Sequence, residues 1–184
     1  MTNIIVIIMV QYQEARYLGI ETVTTVDGAL TELMSEATLI AGGLKNIRKI
    51  SLATITGALW IVPNVSEDDA LNANADAAQA NVTVTDGTKF TVGDIVLLYN
   101  NDNTSYEWAE IKSIATHVLT MTAVLSNAYT TAKASRCAKV RNRNEFFKVK
   151  KGMVLNEENT NFTSLWVRRA SSTDVSVDGY VGVN

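Results

Sequence analysis

The sequence predicts a mainly β fold: a β-sandwich formed by N- and C-terminal strand sets, an inserted small antiparallel β-barrel, and one or two short helices. Residues 82–140 are short β-rich runs separated by turn residues, which is typical of meandering antiparallel strands. The strand sets at 47–62 and 146–183 are each too small to be stable alone, so we expect them to combine. The 184 residues, 47% hydrophobic and 19% charged, can bury a real core.

The N-terminal arm, residues 1–19, contains an apolar run at 4–10. The run is too short to span a bilayer, and it lacks the flanking residues of a secretory signal. A β-branched run of this kind predicts a buried strand, or an arm that adds to the sheet of a neighbouring subunit. The interface residues predicted in this arm are Ile4, Ile5, Val6, Ile7 and Ile8.

The sandwich is assigned to residues 20–65 and 141–184. In its first half, residues 22–26 are β-branched and predict a strand. Two interpretations remain for the next stretch: a short helix at 29–37 capped by Asp27, or a loop that leads into a strand at 38–40.

Two further strands are predicted within residues 47–62, joined at Thr56 and Gly57. The second of them, at 58–62, is continuously apolar, which predicts burial, and Pro63 ends it.

Residues 66–80 differ in composition from the rest, with four acids and many alanines but no wide apolar face. Ser66 and Asp69 resemble a capping box, and acids suit the N-terminus of a helix. We therefore predict a short solvated helix or a mobile connector here, and a domain boundary before the inserted barrel at 81–140.

The basic part of the chain follows the barrel, at 136–151. Apolar and cationic residues alternate near its end, which predicts a half-buried strand with a charged outer face. The interface residues predicted here are Arg141, Arg143, Lys148 and Lys150. They suit an acidic neighbour, such as segment 67–69 of the same or another subunit, or else a merely solvated strand edge.

The last part of the sandwich contains a predicted polar loop at 156–161. A closing pair of strands follows it, at 165–167 and 175–177, and continues to residue 183.

No residue set predicts catalysis, a metal site or a cofactor. His117 is the sole histidine and is predicted to be an exposed turn residue, while Cys137 is the sole cysteine and is predicted to be a buried apolar side chain. Glu107 and Glu110 lie three apart on a predicted strand and therefore point to opposite faces. The loop at 100–105 lacks the ligand pattern of a Ca²⁺ loop and predicts a hairpin tip. The net charge of −3 argues against a dedicated nucleic-acid-binding protein.

Three runs resemble a β-domain that recurs in the virion proteins of tailed bacteriophages, especially auxiliary head and tail proteins. They are at 90–96 (FTVGDIV), at 107–111 (EWAEI), and at 119–122 (LTMT) with Leu125 and Tyr129. The turn at 150–155 and the strand with Arg168 and Arg169 are also similar to parts of such proteins.

The resemblance implies a non-enzymatic decoration or cement protein that binds the major capsid protein on the outer head surface and stabilises the shell. Self-association as a homotrimer is expected, and binding to a membrane or to nucleic acid is not. One alternative is a tail or head-to-tail connector protein. Another is a receptor- or carbohydrate-binding β-sandwich of a virion fibre, which would require Trp108, Trp166 or Tyr180 to be exposed beside polar side chains.

Overall fold

A computed structural model describes residues 16–26, 28–34, 36–54, 57–143, 145–170 and 175–183. The arm residues Ile4 to Ile8 lie outside these ranges. The predicted mainly β fold is confirmed: the described strands form three antiparallel sheets, with one short α-helix.

Sheet A contains β1 (Arg16–Val26), β14 (Val175–Val183), β3 (Ile47–Thr54) and β12 (Val154–Phe162), in that order across the sheet. Sheet B contains β11 (Phe147–Val149), β4 (Leu59–Pro63), β13 (Leu165–Arg169) and β2 (Thr31–Met34). The helix α1 (Glu36–Ala41) follows β2. Each sheet combines strands from both ends of the chain, as the sequence predicts.

Sheets A and B pack around one hydrophobic core and form a β-sandwich. Ile50 and Leu52 of β3 meet Leu59 and Ile61 of β4 there, and Leu39 of α1 joins them, all fully buried. Side chains of a strand alternate between its faces, so β4 and β13 also present residues on the opposite face of sheet B.

Sheet C has six strands in the order β5 (Val65–Ala70), β10 (Arg136–Val140), β7 (Ile95–Tyr99), β8 (Tyr106–Ala115), β9 (Val118–Met121) and β6 (Asn81–Thr83). Two short 3₁₀ helices, Gly87–Lys89 and Thr131–Lys133, lie in its connections. The edge strands approach each other at a single bridge between Leu71 and Val84. One bridge is not strand pairing, so closure into the predicted barrel stays a prediction.

Sheet C packs one face against sheet B and buries the other in a core of its own. Along β7, Leu97 and Tyr99 face sheet B, where they meet Val62 of β4, while Val96 and Leu98 face the second core. Sheet B is therefore covered on both sides. A strand covered on both faces needs apolar side chains on both, which explains the continuous apolar run at 58–62. The predicted burial is confirmed for Leu59, Ile61 and Val62.

The chain passes from sheet B to sheet C at Asn64, which has a positive φ of 59°. It returns after β10, whose Val140 pairs with Val65 of β5. Asn64 Oδ1 accepts a hydrogen bond from Thr163 N at 2.8 Å, and Asn64 Nδ2 donates to Glu145 Oε2 at 2.9 Å. The buried amide of Asn64 thus links both connections between sheets B and C to the turn between β12 and β13.

The helix or connector predicted at 66–80 is wrong over Val65–Ala70, because that stretch is a strand paired with β10. Its acids face cations: Asp68 meets Arg136, and Asp69 meets Lys89. This pairing across strands outweighs the local capping signal.

Four smaller predictions are also corrected. The strand β1 begins at Arg16, inside the predicted arm. Both interpretations of 29–40 are wrong, since β2 precedes α1 there. The predicted loop at 156–161 lies within β12, an edge strand of sheet A, and charged residues are common in edge strands. The strands β13 and β14 exist, but they lie in different sheets and do not pair with each other.

Candidate functional site

Two of the predicted basic interface residues, Arg141 and Arg143, pair with acidic side chains of the same chain. Arg141 lies 3.4 Å from Glu145 and Arg143 lies 3.3 Å from Glu110, measured between guanidinium nitrogen and carboxylate oxygen. These exposed pairs contribute little to stability. Within the chain, their acidic partners are therefore not in segment 67–69, where Asp68 pairs with Arg136 and Asp69 with Lys89; pairing with that segment of another subunit stays a prediction.

The two predicted interface lysines lie at the short strand β11, Lys148 within it and Lys150 directly after it. Lys148 and Lys150 are exposed and Val149 between them is buried, which confirms the predicted half-buried strand with a cationic outer face. The Lys148 ammonium lies 5.3 Å from the ring centre of Trp60, within the range of a cation–π contact.

The side chains considered for catalysis have structural contacts. His117 is an exposed turn residue, as predicted, and its Nδ1 accepts a hydrogen bond from Gly87 N at 3.1 Å. Glu107 accepts hydrogen bonds from the backbone N–H groups of Ser126 and Asn127. Cys137 is fully buried, as predicted, and its burial raises the pKa of the thiol well above the usual value.

No group of three or more potential metal-ligating His, Cys, Asp or Glu residues occurs in the part of the chain that the structure describes. The loop at 100–105 is a hairpin tip between β7 and β8, as predicted. Asp102 accepts hydrogen bonds there from both the backbone N–H and the hydroxyl of Thr104, and its Oδ2 lies 3.4 Å from Lys133.

A half-open pocket at the junction of sheets B and C is the strongest candidate site, and we call it the aromatic pocket. Its cavity volume is about 30 Å³, and the wider space of about 360 Å³ around it includes open solvent at its mouth, so the site is a shallow one. Its walls come from β4, β7, β8 and β13, the hairpin tip and the segment before β11. The lining residues are Trp60, Val62, Leu97, Asn103, Ser105, Tyr106, Trp108, Phe146 and Arg168.

Four aromatic rings form one side of the aromatic pocket. Phe146 lies between Trp60 and Trp108, with centroid distances of 4.5 and 5.1 Å. Tyr106 meets Trp60 and Trp108 edge to face, at 5.2 and 5.5 Å. Such arrangements suit the ring quadrupoles, so the rings hold each other in place. Tyr106, 43% exposed, lies at the solvent side.

The polar side of the pocket is organised by Arg168 of β13, which is only 5% exposed. Its Nη2 donates to Asn100 O at 2.7 Å and to Asn103 Oδ1 at 2.6 Å, so it binds the hairpin tip through neutral oxygens. Its guanidinium lies 4.2 Å from the ring centre of Tyr99. Burial lowers the pKa of Arg168 to about 10, and the group therefore stays positive at neutral pH.

A buried polar network lies beside this arginine. The Tyr99 hydroxyl donates to the Asp68 carboxylate at 3.0 Å and accepts from Leu30 N at 3.0 Å. Arg136 Nε donates to the same carboxylate at 2.6 Å. Burial raises the pKa of Asp68 to about 6, although Arg136 and Tyr99 act in the opposite direction. The network joins sheet C to the segment before β2.

No family model, curated protein or solved structure matches the chain. Among the described residues, no helix is long and apolar enough to cross a membrane.

The fibre alternative requires an exposed aromatic residue beside polar side chains. Trp108 meets this requirement in part. Trp108 is half-buried and lines the aromatic pocket together with Asn103 and Ser105. The Trp166 ring packs in the core between sheets B and C, and its indole nitrogen is buried. The Tyr180 side chain lies outside the described residues.

Proposed function

We propose that the protein is a non-enzymatic virion component of a tailed bacteriophage, specifically a decoration or cement protein on the outer surface of the head. It binds the major capsid protein and copies of itself, as a homotrimer, and stabilises the shell by adhesion. The three sequence runs that resemble phage virion proteins support this proposal, and so does the antiparallel sheet architecture in which they lie.

The observation that carries the proposal is the free edge of sheet A. The strand β1 is eleven residues long, and β14 is its only hydrogen-bonded partner among the described strands. It contains neither Pro nor Lys, two residues that commonly protect sheet edges from pairing. Its register with β14 shifts twice after Ile20, so the regular part of this edge is residues 16–20. An edge of this kind can accept a strand from a neighbouring subunit.

Adhesion at such an edge repeats over a symmetric shell. A stable protein interface buries on the order of 1,600 Å² in total, and each further subunit adds another such contact. The arm residues 4–10 precede β1 in the chain and are the segment we propose to reach the neighbouring subunit.

Copy number in purified particles tests the proposal. Mass spectrometry of intact phages should find this chain in the heads, at a stoichiometry comparable with that of the major capsid protein. A handful of copies per particle would instead assign it to the tail or head-to-tail connector, and its absence from particles would overturn the virion role.

A binding experiment tests the arm. Heads that lack the protein are mixed with the full chain, with a variant that lacks residues 1–10, or with Val124→Ala as an exposed control. We expect the truncation to weaken attachment and the control to bind as the full chain does. Equal binding by all three proteins would refute the role of the arm.

A further inference from the structure

We propose that the aromatic pocket is a carbohydrate-binding site. The inference goes beyond shell adhesion, because it assigns a ligand class to a site that the adhesive mechanism does not use. It stands on three features of the pocket: an apolar aromatic wall, a polar side next to it, and the positive charge of Arg168.

The aromatic wall suits one face of a sugar ring. A pyranose presents C–H groups on its faces and hydroxyl groups at its edge, so it can cover an aromatic surface without burying its hydroxyls. Tyr106 offers such a surface at the solvent side, and Trp60 and Trp108 line the pocket next to it. The mutual contacts of the rings fix this wall before any ligand binds, which reduces the entropy cost of binding.

The polar side suits the hydroxyl edge of the same ring. Asn103 and Ser105 line the pocket from the hairpin tip, and Asn103 Oδ1 accepts a hydrogen bond from Arg168. Arg168 holds this tip to sheet B through Asn100 and Asn103, so the polar groups are fixed relative to the rings. Ligand sites commonly combine apolar walls with a few fixed polar groups in this way.

The charges argue against two other ligand classes. Arg168 in the pocket wall and Lys148 over Trp60 repel an organic cation, which would otherwise suit an aromatic cage. A nucleobase would stack between rings, but Phe146 already fills the space between Trp60 and Trp108. Sugars, neutral or acidic, are compatible with both observations.

The test starts with the full chain on a printed array of bacterial surface glycans. The best-binding array member is then titrated, as a free oligosaccharide, against the wild-type chain and three variants. Tyr106→Ala removes the exposed ring, Tyr106→Phe retains it, and Val92→Ala alters an exposed apolar residue that does not line the pocket. Unfolding temperatures establish that each variant is folded.

We expect about tenfold weaker binding for Tyr106→Ala, and affinities within about twofold of the wild type for the other two variants. The chain has three tryptophans, so NMR of their indole N–H groups gives a second measurement. The signals of Trp60 and Trp108 should shift on titration, and that of Trp166 should shift less. No bound glycan, equal binding by Tyr106→Ala, or unmoved Trp60 and Trp108 signals would each overturn the proposal.

Discussion

The Asp68→Asn substitution should remove a pH dependence of stability that originates in the buried network. Asp68 is held between Tyr99 and Arg136, and burial raises its pKa from 3.8 to about 6. The folded chain therefore binds a proton on Asp68 more tightly than the unfolded chain does. Asparagine has nearly the same shape, still accepts the Tyr99 hydrogen bond, and cannot titrate.

The sign and size of the effect follow from linkage. Between pH 3.8 and about 6 the folded state holds a proton that the unfolded state has lost, so the free energy of unfolding falls as the pH rises. A pKa gap of about 2, at about 1.4 kcal/mol for each pKa unit, corresponds to about 3 kcal/mol. This contribution is fully present below pH 3.8 and is lost as the pH rises through about 6.

Urea unfolding at a series of pH values, followed by tryptophan fluorescence, measures this effect. The stability of the wild type minus that of Asp68→Asn should decrease by about 2 kcal/mol between pH 4 and pH 7. Asp76→Asn, at an exposed position, removes the same formal charge and reports the effect of net charge alone. A pH-independent difference, or one that grows with pH, would refute the reasoning.

Three further predictions concern packing. Gly87→Ala should destabilise the chain by about 2 kcal/mol or more in thermal unfolding, because its Cβ would lie 2.1 Å from Thr116 O. At Gly43 an added Cβ meets no atom within 4 Å, so Gly43→Ala should lower stability only through the strain of its φ of 70°, by about 1 kcal/mol. Cys137 should resist a thiol reagent until the chain unfolds, and rapid labelling of the native protein would contradict its burial. Arg168→Met should lower the free energy of unfolding by about 2 kcal/mol and speed backbone hydrogen exchange at 100–105, because the hairpin tip loses two hydrogen bonds. Unchanged exchange would show that this arginine does not hold the hairpin tip.

The parts of the fold that sequence reasoning predicts are those in which local pattern and tertiary environment agree. The strand β4 is apolar throughout because sheet B is covered on both faces, and the tip at 100–105 has turn chemistry at a turn. The sequence does not predict strand β5, because its acidic residues are also typical of the N-terminus of a helix. The arginine that pairs with Asp68, Arg136, lies far along the chain. The edge strand β12 was missed because polar residues are also typical of loops.

The aromatic pocket was harder to predict than the strands. Its rings come from residues 60, 106, 108 and 146, and only the alternation of Tyr106 and Trp108 along β8 is visible locally. Trp108 enters the sequence analysis only as one of three aromatic residues that the fibre alternative would have to expose. Arg168 was noted as part of an Arg-rich strand, and nothing in its neighbourhood in sequence indicates that it reaches the hairpin tip.

The pairing of Val65 with Val140 has a consequence for how the chain can reach its native state. The strands β4 and β11 are neighbours in sheet B, yet all of sheet C lies between them in the chain. If sheet C forms first, the pairing of β5 with β10 brings its two ends together, so that β4 and β11 are joined by a short connection in place of a long flexible loop. This lowers the entropy cost of pairing β4 with β11 by about 2 kcal/mol. Early formation of sheet C would thus act as a template that brings the two halves of the sandwich together.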